Sequence, residues 1–102
     1  MKIYIAGKVT GLPENQVKPK FDHAKRWLIS LGYTPINPLE LVALDTDWNI
    51  AMKICIDALS KADGIYLLPD WMDSMGARQE VQYAITYEKQ IFNEHTIKLN
   101  RN

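Results

Sequence analysis

Five residues that follow the first β-rich run have the composition of a ligand-binding loop. The segment is Gly7-Lys8-Val9-Thr10-Gly11, which places two glycines, a cation and a hydroxyl in one turn-rich stretch. Glycine allows backbone N–H groups to approach an anionic or hydroxylated ligand closely. The spacing matches neither the dinucleotide-binding fingerprint nor the Walker loop, in which a Lys-Ser/Thr pair follows the last glycine. Both an ordinary turn between strand and helix and a ligand-binding loop are compatible with these residues.

A second segment, from Ser74 to Glu80, combines a hydroxyl, a glycine and a carboxylate at the start of a predicted helix. The free N–H groups and the dipole at a helix N-terminus favour an oxyanion, which Gly76 would allow to approach. Glu80 lies about one and a half turns into the helix, so its carboxylate can reach the same crevice. In the alternative interpretation, Ser74 is only a helix cap and Glu80 is a solvated helix residue.

Two further features have more than one interpretation. The loop before this helix contains three large apolar side chains, Trp71, Met72 and Met75, where exposure is expected. They could contact a second subunit, form a lid over a bound base, or fold back into the core of the same subunit. Tyr4 lies in the middle of the first β-rich run, where its ring can fill the core and its hydroxyl can reach a ligand.

The elements that position these residues follow from an alternation of short β-rich runs with longer helical patterns, which predicts βαβ units around a parallel sheet. The predicted strands are Lys2–Ala6, Tyr33–Ile36, Ile65–Leu68 and Gln90–Asn93, with a possible fifth at Thr96–Leu99. The predicted helices begin at Pro19, at Trp48 with Asp47 as its N-cap, and at Ala77, and they end before Gly32, near Ala62 and near Glu88. Residues 39–47 are predicted to be a loop with a possible helical turn, and the polar end from Asn100 is predicted to be frayed.

We therefore predict a single domain over residues 1–102 with an α/β fold. It is a small doubly wound sheet, flavodoxin-like or Rossmann-like, of four to five mainly parallel strands flanked by helices. Ligands bind to such sheets outside the carboxyl ends of the strands. The segments after the first and third strands are therefore the places where a site is expected.

Composition excludes several classes of protein. The 12 basic and 12 acidic residues give a formal net charge of zero, so nucleic acid is not an expected partner. The single cysteine forms no internal disulfide, and with two histidines it leaves too few ligands for a structural zinc site. The apolar run from Ile3 to Ala6 is far shorter than the roughly 20 residues of a membrane span. We expect a soluble, cytoplasmic protein with no metal and no cofactor.

The histidines and the remaining aspartates give little support to other chemistries. His23 lies off the apolar face of its helix and His95 lies near the end of the chain, so neither has a visible Ser or Cys partner for a triad. Asp57 is about 200° around its helix from Cys55 and is expected to face solvent. Asp63 is expected to cap a turn.

Taken together, the motifs resemble those of the nucleoside 2-deoxyribosyltransferase family, over roughly Lys2 to Phe92. They are Tyr4-Ile5-Ala6-Gly7 with Thr10-Gly11, Ala62-Asp63 before an apolar strand, and Ser74-x-Gly76-x-x-x-Glu80. The resemblance is strongest to the branch of 2'-deoxynucleoside 5'-monophosphate N-glycosidases. It implies an enzyme that is a homodimer or a larger homo-oligomer, in which a neighbouring subunit completes each pocket.

The resemblance also implies a role for individual residues. Glu80 would be the nucleophile that attacks the anomeric carbon, and Tyr4 would position it. The loop of residues 7–11, with Ser74 and Gly76, would hold the sugar and the 5'-phosphate. Serine at position 74, where the transferases have aspartate, favours a phosphorylated substrate and hydrolysis. Lys8 and Arg78 are the candidate phosphate partners, because the first strand and its loop contain no arginine.

One position departs from the family pattern. The family's general acid is an aspartate eight residues before the Ala-Asp aspartate, and that position is Cys55 here. A thiol is a poor proton donor to a purine or pyrimidine. Another carboxylate, Asp47, Asp70 or Asp73, could take over, or the site could bind a nucleotide without cleaving it.

The sequence thus predicts hydrolysis or transfer at the N-glycosidic bond of a (deoxy)nucleoside 5'-monophosphate through Glu80. The first alternative is an inactive protein of the same fold that binds a nucleotide or an ADP-ribose-like molecule. The second is an interaction module whose Trp71 loop contacts a partner protein.

Overall fold

Strands and helices alternate along residues 1–99, the part of the chain that the computed structural model describes. The elements are β1 (Lys2–Ala6), α1 (Glu14–Ser30), β2 (Thr34–Ile36), α2 (Trp48–Ser60), β3 (Gly64–Leu67), α3 (Met75–Thr86) and β4 (Gln90–Phe92). Short 3-10 turns lie at Pro38–Glu40, Trp71–Asp73 and Ile97–Leu99. The polar end from Asn100 lies outside the described residues. Within residues 1–99, no helix has the length and apolar character needed to cross a membrane.

The four strands form one sheet in the order β2-β1-β3-β4, and every neighbouring pair is parallel. The predicted doubly wound α/β fold is confirmed. The chain moves outward from β1 to β2 and then returns to place β3 on the other side of β1. The carboxyl ends of β1 and β3 therefore flank the point at which the strand order reverses, where such sheets bind ligands.

Helices cover both faces of the sheet, which explains why β1 and β3 are continuous apolar runs. Ile3 and Ile5 pack on one face with buried residues of α1, including Phe21. Tyr4 and Ala6 point to the other face, which is covered by α2 and α3. The alternation of side chains along β1 thus directs the ring of Tyr4 toward the two helices that follow the 39–47 loop and the Trp71 loop.

The predicted start of α1 is wrong, because the helix begins at Glu14 and Pro19 lies inside it. Val17 is buried and lies on the same stripe as Phe21, Ala24 and Leu28. Burial of this side chain stabilises an additional turn, although Pro19 removes one helical hydrogen bond. A single apolar residue in a polar segment was too weak a signal to predict that turn.

The predicted fifth strand is also wrong, because residues Ile97–Leu99 form a 3-10 turn. The side chain of Asn93 accepts hydrogen bonds from the backbone N–H groups of His95 and Thr96. This local pairing turns the chain away from the sheet, since it uses N–H groups that a strand would need. Ile97 is then buried on the α1 side of the core.

The other bounds differ from the predicted ones by one or two residues at most ends. Helix α3 begins at Met75 rather than Ala77, because Ser74 caps it and accepts a hydrogen bond from Ala77. Asp47 caps α2 as predicted, by accepting from the N–H groups of Asn49 and Ile50. The possible helical turn predicted within residues 39–47 begins one residue earlier, as the 3-10 turn at Pro38–Glu40.

Candidate active site

A cavity of about 870 Å³ lies over the carboxyl end of β1. This volume is within the range of sites that bind small molecules. The lining residues with ionisable or hydroxyl side chains are Tyr4, Thr10, Glu14, Lys18, Asp45, Thr46, Cys55, Ser74 and Glu80. Much of the remaining wall is apolar and comes from residues 38–44 and from α2, including Trp48 and Met52. The combination of a mainly apolar wall with a few polar groups is typical of a ligand site.

The buried centre of the cavity is a cluster of three side chains from three elements. The hydroxyl of Tyr4 on β1 donates a hydrogen bond of 2.5 Å to Oε2 of Glu80 on α3. Cys55 on α2 lies close enough to the Tyr4 hydroxyl for each group to affect the pKa of the other. Tyr4 is 1% exposed and Glu80 is 5% exposed. The interpretation of Glu80 as a solvated helix residue is therefore wrong, and Tyr4 both fills the core and lines the cavity.

The position of Glu80 follows from the phase of α3. Ala77, Val81 and Ala84 form the apolar stripe that packs this helix against the sheet. Glu80 lies three residues after Ala77 and shares the stripe, so packing of the helix buries its carboxylate. The cap at Ser74 determines where the helix begins and places this side chain against Tyr4.

Burial determines the protonation of the cluster. It raises the pKa of Glu80 to about 7, and the hydrogen bond from Tyr4 opposes part of this rise. Burial also raises the pKa of Tyr4 well above its usual value, and the charge of Glu80 adds to the effect. The pKa of Cys55 is raised as well, first by burial. At neutral pH the cluster therefore holds one carboxyl group near its midpoint and two groups that keep their protons.

The loop after β1 is held by a charged contact that the sequence did not predict. Nζ of Lys20 lies 2.6 Å from Oδ2 of Asp70 and donates to the backbone oxygen of Lys8, also at 2.6 Å. The backbone N–H of Lys8 donates to Oδ1 of Asp70 at 3.0 Å. Burial alone would raise the pKa of Asp70, but these hydrogen bonds lower it overall. The ionised carboxylate of Asp70 therefore stabilises the loop after β1. Asp70 does not line the cavity.

Of the predicted residues in this loop, Gly7, Val9, Thr10 and Gly11 line the cavity. Gly7 is buried, and a Cβ at this position would lie 2.5 Å from Cδ1 of Leu68. Only glycine therefore allows the backbone to pass this close to the residue after β3.

The predicted segment at the start of α3 contributes Ser74 and Gly76 to the cavity. The hydroxyl of Ser74 accepts the cap hydrogen bond from Ala77, so the capping interpretation is confirmed while the residue still faces the cavity. A Cβ on Gly76 would lie 3.1 Å from Sδ of Met52 and 3.7 Å from Nε1 of Trp48. The glycine thus lets α2 approach the start of α3.

The two predicted phosphate partners, Lys8 and Arg78, do not line the cavity. Among the lysine and arginine residues of the described chain, Lys18 is the one that lines the cavity. Its Nζ lies 2.9 Å from Oε1 of Glu14. The sequence analysis did not identify Lys18 and Glu14 as site residues, because it predicted that the first helix begins only at Pro19. Extension of α1 by one more turn brings them to the cavity.

The candidate replacement acids are also placed elsewhere. Asp47 caps α2, Asp70 pairs with Lys20, and neither these two nor Asp73 line the cavity. Asp57 faces solvent, as predicted, and its carboxylate also pairs with Lys61. Asp45, which sequence reasoning missed, is an exposed residue that does line the cavity. Its position in an irregular segment between β2 and α2 is the signal that could have identified it, since such loops border the sites of α/β sheets.

The apolar loop before α3 divides into two parts. Trp71 is half-buried and packs against the core on the α2 and α3 side. Met72 and Met75 are 65% and 61% exposed. Folding back into the core thus accounts for Trp71 but not for the two methionines.

The fold and the site define a small doubly wound α/β protein with a buried carboxylate and tyrosine at the point where the strand order reverses. Residues 1–93 match the family described as "Domain of unknown function (DUF4406)", and the chain belongs to that family. No curated protein matches the sequence.

A solved structure described as "2-desoxiribosyltransferase from Leishmania mexicana" has a similar fold. The TM-score is 0.69 at 20% sequence identity, and the match covers 90% of this chain. This chain spans 62% of the length of that protein. At this identity the likeness establishes a common fold, which confirms the fold implied by the resemblance of the motifs. The narrower N-glycosidase branch stays a prediction.

Proposed function

We propose that this protein cleaves the N-glycosidic bond of a nucleoside or of its 5'-monophosphate, with Glu80 as the nucleophile. The single observation that carries the proposal is the buried Glu80 carboxyl group, which faces the cavity and is hydrogen-bonded to Tyr4. A carboxylate in a protected site of this kind can form a glycosyl ester. The similar structure is that of a 2-desoxiribosyltransferase, and deoxyribosyl transfer is chemistry of the same class.

In the proposed reaction, a carboxylate oxygen of Glu80 attacks the anomeric carbon while the bond to the base breaks. Water, or a second base, then releases the sugar from the ester. Tyr4 donates to the other oxygen of the carboxylate and holds it in position. Because burial raises the pKa of Glu80 to about 7, the reactive carboxylate becomes more abundant as the pH rises through neutrality.

The residues that would hold the sugar and a 5'-phosphate are the backbone of residues 7–11, Ser74 and Gly76. They line the same cavity as Glu80, with the exception of Lys8. The cavity offers a 5'-phosphate few cations, because Lys8 and Arg78 lie outside the lining and Lys18 is already paired with Glu14. Substrate tests therefore need to include nucleosides as well as nucleotides.

One observation favours a second candidate function, which is binding of a nucleotide or an ADP-ribose-like molecule without cleavage. Cys55 stands beside Tyr4 and Glu80, and its thiol is a weaker acid than a carboxyl group. A protein with a nucleophile but no strong acid beside it would bind such a ligand and release no base from it.

The experiment is a chromatographic assay for free base. Purified protein is incubated with ribonucleosides, deoxynucleosides and their 5'-monophosphates, beside Glu80→Gln and the control Glu88→Gln. Glu88 is exposed and lies outside the cavity. The proposal expects base release by the wild type and by Glu88→Gln, and none by Glu80→Gln. Absence of release, together with a nucleotide-induced rise in melting temperature, would favour the binding protein instead.

We also propose that the chain forms a homo-oligomer through the surface around Met72 and Met75. The exposure of these two apolar side chains next to the cavity supports this proposal. Sedimentation of a Met72→Ser, Met75→Ser double variant should show a smaller species than the wild type. Ile29→Ser is the control, because Ile29 is 52% exposed on α1, which covers the opposite face of the sheet.

A further inference from the structure

Among residues 1–99, Glu80 has no second carboxyl group beside it in the buried cluster. Its neighbours in the buried cluster are the hydroxyl of Tyr4 and the thiol of Cys55. Burial raises the pKa of both groups, so both keep their protons at neutral pH. The carboxyl groups of Asp47, Asp57, Asp70 and Asp73 lie outside the cavity lining, and those of Glu14 and Asp45 line it as exposed side chains outside the buried cluster. Among residues 1–99, the cluster around the nucleophile therefore holds no second carboxyl group that could protonate a departing base.

This lack of a proton donor restricts which bases can leave. A neutral purine or pyrimidine takes the electron pair of the broken bond and departs as an anion unless it is protonated. General acids contribute about 100-fold to 10,000-fold to such steps. A base attached through a cationic ring nitrogen, as in a pyridinium nucleoside, behaves differently. The electron pair neutralises the ring nitrogen, so that the base leaves uncharged without a proton.

The charges that line the cavity favour the same kind of substrate. Its carboxyl groups are those of Glu14, Asp45 and Glu80, whereas Lys18 supplies the cationic side chain and is 2.9 Å from Glu14. Asp45 has no charged partner among the ion pairs of residues 1–99. An unpaired carboxylate at the cavity lowers the energy of a bound cation and raises that of a bound anion.

We infer that the site takes nucleosides with a cationic base of the pyridinium type in preference to neutral purine and pyrimidine nucleosides. The inference rests on the proposed function, because it uses Glu80 as the nucleophile. A carboxylate oxygen of Glu80 forms a bond to C1' as the C1'–N bond breaks, and the electron pair passes to the ring nitrogen. Water then attacks C1', restores the carboxylate and yields the free sugar and one proton. One pyridinium cation and one water thus give one neutral base, one sugar and one proton.

The first test compares nicotinamide riboside with inosine and uridine. The 2'-deoxyribose analogue of each of the three nucleosides is tested beside it. Base release is measured by chromatography between about pH 5 and pH 9. For nicotinamide riboside, kcat/KM should rise with pH through about 7 as Glu80 ionises and then stay level. For the neutral nucleosides, any activity should be lower and should fall again at high pH, because their departure needs a proton.

The second test supplies the missing acid. Cys55→Asp should increase release from inosine relative to nicotinamide riboside by about 100-fold, whereas Cys55→Ser should leave this ratio unchanged. Asp45→Asn should raise the KM for nicotinamide riboside by about threefold relative to the KM for inosine. If Cys55→Asp does not fold, the Asp45→Asn comparison and the wild-type pH profiles decide the question.

Two results would overturn the inference in different ways. Release from inosine or uridine that equals or exceeds release from nicotinamide riboside, and that disappears in Glu80→Gln, rejects the substrate class and leaves the proposed function intact. Release of nicotinamide that persists in Glu80→Gln, or no release from any substrate, rejects the proposed function together with the inference.

Discussion

The hydroxyl of Tyr4 and the carboxyl group of Glu80, which are 76 positions apart in the sequence, are joined by a hydrogen bond of 2.5 Å. The bond links the central strand β1 to helix α3 on the face of the sheet that α2 and α3 cover, where both side chains also line the cavity. It offsets part of the cost of burying the carboxylate and fixes the oxygen that it contacts. The protonation of Glu80 is therefore controlled by its contact with Tyr4 as well as by its burial.

Removal of this bond should shift the pH dependence of activity. In Tyr4→Phe, Glu80 loses the donor that lowers its pKa, so the rise of kcat/KM with pH should move upward by about one pH unit. The measurement is a pH profile of base release with the best substrate found. Tyr87→Phe is the control, because Tyr87 is 61% exposed and contacts the ring of Tyr83 on the surface. An unchanged profile in Tyr4→Phe would contradict the role assigned to the bond.

Replacement of Glu80 by glutamine should increase stability at high pH. The folded pKa is about 7 and the ordinary value is 4.5, so between these values the folded state keeps a proton that the unfolded state has lost. Wild-type stability therefore falls as the pH rises from about 4.5 to about 7, by roughly 3 kcal/mol in total. Because glutamine does not ionise, the free energy of unfolding of Glu80→Gln should not fall in this way.

Urea unfolding at about pH 4 and about pH 8 checks this expectation. The free energy of unfolding of Glu80→Gln should exceed that of the wild type at the higher pH and should match it at the lower pH. The exposed control Glu88→Gln should follow the wild type at both. A stability difference between Glu80→Gln and the wild type that is the same at both pH values would show that burial of the charge is not its cause.

Loss of the Asp70 carboxylate should weaken the loop of residues 7–11. Asp70→Asn removes the charge that pairs with Lys20 and accepts from Lys8, and it should cost about 1 to 2 kcal/mol of unfolding free energy at neutral pH. Asp57→Asn is the matched control. The side chain of Asp57 is 67% exposed and that of its partner Lys61 is 71% exposed. Asp57→Asn should therefore lower the free energy of unfolding by less than about 0.5 kcal/mol.

The cost of Asp70→Asn should also depend on pH. The folded pKa of Asp70 is lowered, so the carboxylate stabilises the fold above its ordinary value of 3.8 and this contribution is lost as the pH falls through the folded pKa. The difference between the wild type and Asp70→Asn in urea unfolding should therefore shrink below about pH 4. Equal costs for Asp70→Asn and Asp57→Asn at neutral pH would contradict this account.

Alanine at the two glycines of the loop should have unequal effects. A Cβ at Gly7 would lie 2.5 Å from Cδ1 and 2.9 Å from Cβ of Leu68, and the latter atom is fixed to the backbone. Gly7→Ala should therefore destabilise the fold by about 1 to 3 kcal/mol. Gly11 has φ +88° with nothing near it, so Gly11→Ala should cost about 1 kcal/mol of backbone strain. Urea denaturation of the two variants measures which one loses more unfolding free energy. A larger loss in Gly11→Ala than in Gly7→Ala would show that the contact with Leu68 does not determine the effect at Gly7.

The sequence by itself determined the architecture. Strand and helix periodicities are local properties, so the alternation of apolar runs predicted all four strands and three helices of the described chain. It failed where a local pattern was sparse, as at Val17, or where side chains hydrogen-bonded to nearby backbone, as at Asn93. The sequence also placed Glu80 on a helix that begins beside the end of a central strand.

Only the tertiary structure decided what surrounds Glu80. The partner of this carboxylate comes from β1 and its other neighbour, Cys55, from α2, so the contact depends on how three elements pack. The same holds for the charges at the cavity, which Lys18 and Asp45 line and the predicted Lys8 and Asp70 do not. A local pattern predicts an element but not the direction in which a loop or an added helical turn points its side chains. That direction is determined by packing against residues distant in the sequence, and here it determines which acidic and basic side chains line the cavity.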